Sequence, residues 1–229
     1  DKNTALGVGS YQSGTTASSN TALGYNALYA NTTADQNTAV GFEALTANTT
    51  GANNTAMGKS ALGSNTTGTQ SVAVGVGAVE DTTTGTNLTG VGFKALHQNT
   101  TGNYNVALGH SALEANTTAS YNTAVGYQSL ATNTTGGLNT AVGYQALEDT
   151  TTASNNTAVG TQALNKNTTG ASNCAFGEAA LFTNTTGSQN TAYGKDALRS
   201  NTTASNNTAL GYQALKVSTT GQNTAVGSF

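Results

Sequence analysis

Glycine returns every seventeen residues along this chain, at Gly7, Gly24, Gly41, Gly58, Gly75, Gly92, Gly109, Gly126, Gly143, Gly160, Gly177, Gly194 and Gly211. Only the last step, to Gly227, is sixteen, because one residue is missing between Gly221 and Asn223. Each of these glycines closes a short phrase of the type Asn-Thr-Ala-Val-Gly. Thirteen units therefore run from Asn3 to Gln222, and a partial fourteenth covers 223–229. No linker or change of composition interrupts them, so residues 1–229 read as a single repeat array or as a piece of a longer one.

A strict period of this length selects an architecture. A stacked repeat must bring the chain back to its starting point one layer further on, and seventeen residues are too few for a helical pair. The chain has no Pro, places Gly and Asn at fixed points, and fills its short runs with Thr and Val; these are strand and turn signals. The pattern predicts an all-β fold, a parallel β-solenoid of thirteen 17-residue turns with two short strands in each. At ~4.8 Å per layer, thirteen turns make a rod of roughly 60 Å. Disordered chains combine low apolar content with high net charge. Here only 7% of residues are charged and the net charge is −3, so an ordered chain with a thin core is expected.

Positions within the unit are numbered from the Asn of Asn-Thr-Ala-Val-Gly. Position 2 is mostly Thr, and position 4 is always apolar, as at Leu23, Val40, Met57, Val74, Val125, Phe176 and Tyr193. Positions 2 and 4 share one face of a strand and are expected to point inward. Position 3, Ala or Gly90, then leaves the opposite face nearly bare. Such a face serves either tight packing within a narrow solenoid or a contact between chains. Position 6 takes Tyr25, Lys59, His110, Glu178 and Lys195. Unpaired charges do not belong in a core, so the chain must turn outward at the glycine. Positions 8 and 9, Ala-Leu in most units, supply a second apolar column through Leu28, Leu45, Leu96, Leu147 and Leu215.

Thr-Thr occupies positions 13 and 14 throughout, preceded by Asn at Asn31, Asn48, Asn65, Asn99, Asn116, Asn133, Asn167, Asn184 and Asn201. An Asn side chain can bond backbone two residues on, so these nine are expected to hold an Asx-type structural turn. Two units carry Glu80-Asp81-Thr82 and Glu148-Asp149-Thr150 instead; there Asp is expected to take over the capping. Asn-Thr-Thr and Asn-Asn-Thr triplets also fit the N-glycosylation pattern, a weak signal in a copied repeat.

Chemistry of other kinds is scarce. His97 and His110 have no recurring carboxylate or nucleophile partner, so no catalytic residues are assigned and the chain is read as a non-enzyme. The two acidic pairs are too sparse for a metal array, and no metal or cofactor site is read. Cys174 replaces Thr at position 2 and reads as a small core filler. Seven Lys and Arg spread along the chain give no basic patch for nucleic acid. No apolar run approaches a membrane span. The chain begins at Asp1 without Met or a signal segment, as expected of a mature or excised product.

The stretch Ser71 to Val79, "SVAVGVGAV", resembles the head repeats of trimeric autotransporter adhesins, the YadA-like head. Its frame Ala-x-Gly-x-x-Ala recurs at Ala39-Gly41-Ala44 and Ala141-Gly143-Ala146. The array is also similar to repeats of phage tail-fibre-like proteins and large bacterial surface proteins. The resemblance covers the whole chain and implies a left-handed parallel β-roll with three chains side by side. It also implies display outside the cell, on a cell surface or on a virion. The usual head repeat is shorter, which implies a longer loop here at the Asn-Thr-Thr turn.

Three functions compete on this reading. The first is a structural or adhesive extracellular fibre, a rigid rod with a repeated surface. It would assemble as a homo-oligomer, most simply a trimer, or with fibre neighbours, and would meet a host or glycan surface; a phage tail-fibre shaft is a variant of it. The second is an ice-binding β-solenoid, weakened because adjacent Thr-Thr leaves one outward rank at most. The third, a carbohydrate-processing fibre, requires clustered carboxylates that the ten acidic residues do not supply. The candidate contact surface is the position-6 rank Tyr25, Phe42, Phe93, Tyr127, Tyr144 and Tyr212, with Gln128, Gln145, Gln162 and Gln213 beside it.

Overall fold

A computed structural model describes residues 2–228. It is an all-β parallel solenoid of about thirteen seventeen-residue turns, with no helix among the described residues. The chain divides into two compact units, Asp1–Thr118 and Ala119–Phe229. In the first, three-residue strands at Thr4–Leu6, Thr21–Leu23, Thr38–Val40, Thr55–Met57, Val72–Val74, Thr89–Val91 and Val106–Leu108 pair in chain order. In the second, Thr123–Val125, Thr140–Val142, Thr157–Val159, Cys174–Phe176, Thr191–Tyr193, Thr208–Leu210 and Thr224–Val226 do the same. Every pairing is parallel and joins equal positions, for example Ala158 with Ala141 and with Ala175.

Each turn has one strand, not the two expected. The Ala-Leu column at positions 8 and 9 lies in a turn. Its leucines adopt left-handed backbone, with φ of 54° at Leu28, 50° at Leu45 and 54° at Leu147. That conformation costs an L-residue roughly 1–2 kcal/mol. Full burial of the leucine side chain, worth about 1.5–3 kcal/mol, offsets it. Leu28, Leu45, Leu96 and Leu147 are fully buried and Leu215, in the last full turn, is half-buried; hydrogen bonds such as Leu147 N–H to the Ala163 carbonyl, 3.0 Å, carry the turn onto its neighbour.

The strand faces are the reverse of the sequence expectation. Position 3 points inward, with Ala39, Ala73, Ala141 and Ala158 fully buried, while positions 2 and 4 face outward. The reason is room. Leu at position 9 already fills the narrow interior from the opposite wall, so the strand can offer it only a methyl group. Gly90 shows the limit: a β-carbon there would lie 3.1 Å from the Ala95 carbonyl oxygen and closer still to the Val79 side chain.

The position-5 glycine follows from the same stacking. At Gly126 φ is +131°, and a β-carbon would sit 2.7 Å from the Gly143 carbonyl carbon. No rotamer relieves a clash between two backbones. Gly126→Val is expected to cost about 3 kcal/mol or more, whereas Tyr127→Ser, at an exposed stacked ring, should cost about 1 kcal/mol. Urea or thermal unfolding of the two variants checks this; equal losses would contradict the packing.

Candidate functional site

The position-6 residues stand at the edge just past the glycine. Tyr25, Phe42, Phe93, Tyr127, Tyr144 and Tyr212 are all 43–48% exposed. Where two rings fall on successive turns they stack. Tyr25 and Phe42 lie 5.2 Å apart at 16°, and Tyr127 and Tyr144 lie 5.5 Å apart at 9°. Phe93 stacks on His110 at 5.0 Å. The rank is broken into short runs by Lys59, Val76, Thr161, Glu178 and Lys195. Lys59 caps the first run, its Nζ lying 5.9 Å from the Phe42 ring centre. Stacking turns the paired faces of these rings toward one another along the column. What the pairs show to solvent is mainly ring edge and hydroxyl. Beside the second run, the Gln145 amide donates to Gln128 Oε1 at 3.3 Å, and Gln162 donates to Gln145 at 3.2 Å.

Sequence reasoning missed a second surface, the outer strand face. Position 4 exposes Leu23 (43%), Met57 (45%), Tyr193 (58%) and Leu210 (45%). Phe176 and Tyr193 form its one aromatic pair among the described residues, 5.6 Å apart. Positions 2 and 4 of all fourteen strands carry only Thr, Val, Cys, Leu, Met, Phe and Tyr, so the face holds no charge. Cys174 belongs to this face and is not a core residue. It is half-buried, and burial pushes its thiol pKa up, which lowers its reactive thiolate fraction. The signal was present in the sequence: large, varied residues such as Met57, Phe176 and Tyr193 do not fit a core of invariant size.

The nine asparagines of position 12 are more than turn formers. All nine are fully buried and stand in columns inside the units. Asn48 Nδ2 donates to Asn31 Oδ1 at 2.9 Å and to the Gly51 carbonyl at 2.9 Å, and Asn184 and Asn201 repeat the arrangement. The bond runs three residues on rather than two, and a second runs between turns. Position 1 forms another column, in which Asn37 accepts the Asn54 N–H at 2.9 Å and Asn54 Nδ2 donates to the Gly68 carbonyl at 2.9 Å. The Thr at position 13 donates its hydroxyl to the next turn, as Thr49 does to the Thr66 carbonyl at 3.0 Å, while the Thr at position 14 is exposed.

Asp81 and Asp149 do not take over the capping. Thr82 and Thr150 occupy the buried column, and Asp149 lies at the surface with Lys166, 2.8 Å away. That hydrogen bond raises the Lys166 pKa. The substitution at Thr82 breaks a ladder. Thr82 accepts from Asn99 Nδ2 at 2.8 Å, but Asn65 Oδ1 beneath it is buried without a hydrogen bond.

Other charged side chains form local pairs, Lys195 with Glu178 at 3.0 Å, Arg199 with Asp196 at 3.4 Å and Lys94 with Glu114 at 3.8 Å, and the His97 ring lies 3.5 Å from Glu80. His97 Nδ1 also lies 3.0 Å from the Gly77 carbonyl oxygen, which ties the ring to the backbone. Among the described residues no three metal-ligating side chains gather, and no helix is long and apolar enough to cross a membrane. No known protein family, curated protein or solved structure matches this chain.

Thr82→Asn should complete the ladder by giving Asn65 Oδ1 a donor. The expected gain is about 1 kcal/mol in urea unfolding, the usual net worth of a hydrogen bond that satisfies a buried group. The reverse change, Asn48→Thr, should lose about as much or more. A destabilised Thr82→Asn chain would contradict the column.

Proposed function

We propose that this chain is a segment of a structural or adhesive fibre displayed outside the cell or on a virion, and that it assembles with further copies of itself through the outer strand face. One observation carries the reading: an uncharged face mainly of Thr, Val and Leu runs along each unit. Seven strands at ~4.8 Å by three residues at ~3.3 Å make roughly 340 Å² per unit. That is within the size of the largest surface patch on a typical monomer, which is often functional. A second copy is the occupant that matches it best, because a face without charge is complementary to itself in a parallel, symmetric arrangement. Three copies is the number implied by the resemblance to adhesin head repeats. In that assembly the Thr-x-Val faces meet at the centre, and the position-6 rank remains outside to touch a glycan, a host surface or a neighbouring fibre.

Light scattering on the purified chain should give about three protomers for a closed symmetric ring of this kind. Val142→Lys with Val159→Lys puts two charges on the central face at positions that do not line the core. This variant should run as folded monomers with unchanged circular dichroism. A parent chain that is a stable folded monomer at micromolar concentration would overturn the proposal.

Contact through the rank is tested separately. Tyr127, Tyr144 and Tyr212 replaced together by Ser should leave the fold and the oligomer intact while abolishing binding to a glycan array or to cell surfaces. Equal binding by parent and variant would remove the rank from the account.

A second reading, ice binding, gains one specific observation. Thr at position 2 faces outward beside the apolar residue of position 4, a regular Thr-x-Val array at β spacing. Met57, Phe176 and Tyr193 interrupt its flatness, which keeps this reading second. Thermal hysteresis in the parent decides it: measurable hysteresis that the Val142→Lys, Val159→Lys variant loses would favour ice over self-association.

A further inference from the structure

The sequence holds thirteen Asn-x-Ser/Thr triplets, and the fold divides them sharply. Nine are the Asn-Thr-Thr triplets of position 12. N-linked glycosylation uses the side-chain nitrogen of the acceptor, and in these nine that nitrogen lies in a fully buried column. Asn65 Nδ2 donates to Asn48 Oδ1 at 2.8 Å and to the Gly68 carbonyl at 3.1 Å; Asn184 and Asn201 each donate twice in the same way. A glycan there and the stacked turns exclude one another, since the side chain is fully enclosed and its amide already donates to neighbouring groups.

Three others differ. Asn53, Asn155 and Asn206 occupy position 17 in the triplet Asn-Asn-Thr. Each is exposed and adopts left-handed backbone, with φ of 62° in all three. The middle residues, Asn54, Asn156 and Asn207, are buried in the position-1 column. The Thr that follows is outward-facing on the strand: Thr55 and Thr157 are half-buried and Thr208 is exposed. Acceptor amide and recognition hydroxyl are thus both outside, with the unread middle residue inside. The remaining triplet, Asn87-Leu88-Thr89, is half-buried, and its amide donates to Thr86 Oγ1 at 3.3 Å; it is not counted with the three.

We infer that Asn53, Asn155 and Asn206 are the N-glycan acceptor sites of the folded chain, and that the nine Asn-Thr-Thr triplets are closed to this modification. The donor is a sugar activated as a phosphate or pyrophosphate ester. Nδ2 attacks its anomeric carbon, the bond from that carbon to the phosphate oxygen breaks, phosphate leaves with the electron pair, and one amide proton passes to the enzyme's base. Thr55, Thr157 and Thr208 lie on the outer strand face that the proposed assembly would cover, so the inference concerns the folded single chain, and the Val142→Lys, Val159→Lys variant is tested beside the parent to separate it from the fibre reading.

The test uses chain produced in a host that does not glycosylate asparagine, treated with an Asn-x-Ser/Thr-specific glycosyltransferase and a nucleotide-glucose donor. The same reaction is run on its proteolytic peptides, and mass spectrometry gives the folded-to-peptide ratio of occupancy at each site. Expected ratios are near one at Asn53, Asn155 and Asn206, and lower by about tenfold or more at the nine, where modification requires local unfolding. Ratios near one at the nine would overturn the inference. So would closed sites at the three in the Val142→Lys, Val159→Lys variant, or peptides of those three that fail to react at all; sites open in the variant and closed in the parent would support both the inference and the assembly.

Discussion

Most backbone hydrogen bonds of a turn of this chain run to its neighbours and not to the turn itself. The backbone groups flanking the strands find partners one repeat away, offset by one residue, while the position-13 hydroxyl and the two asparagine columns bond the equivalent position there. A single turn would be a loop with most of its backbone polar groups orphaned around one leucine and two alanines. Stacked, it becomes a layer whose groups are satisfied above and below. Equal-position bonding is the constraint from which the rest follows. It forces the period to be constant and the buried positions to be nearly identical in every copy. It requires glycine wherever backbone meets backbone, as Gly126 meets Gly143.

The same constraint explains where variation is allowed. Position 6 can be Tyr, Lys, Glu or Thr because its side chain leaves the stack, and neighbours touch only when both are large enough to do so. Position 4 varies from Val to Phe and Tyr because it too points out, even though every residue there is apolar. An outward position that is always apolar needs an explanation beyond the stability of one copy, and the self-association we propose through the strand face would supply it. The interior, by contrast, tolerates little. Where Thr82 stands for Asn, Asn65 loses its acceptor bond while the backbone bonds around it persist.

Much of this was legible in the sequence. The seventeen-residue period gave the parallel solenoid, the glycine column gave the turn, and the charges at Lys59 and Glu178 placed position 6 outside. The inward and outward faces of the strand were not legible from alternation alone. Thr-Ala-Val offers two consistent readings, and the usual preference for burying the larger residue selects the wrong one. The choice is made by Leu45 and its equivalents, which reach across from a left-handed turn and leave space for a methyl group only. That backbone, with φ of 50° at a leucine, is one that no propensity scale favours. It also removed the second strand expected in each turn. The asparagines were recognised as turn formers, but burial of their whole side chains became visible only when the turns were stacked.

The claim that polar columns inside the units hold the turns together is open to one direct measurement. In a uniformly labelled sample, hydrogen exchange of the side-chain NH₂ groups can be followed by NMR. The Nδ2 protons of Asn48 and Asn65 should exchange slowly, with protection comparable to strand amides such as that of Ala56, while those of exposed Asn53 exchange at the rate of a free amide. Asn48 and Asn65 exchanging as fast as Asn53 would contradict the account, because the ladder that joins one turn to the next would then be open to water.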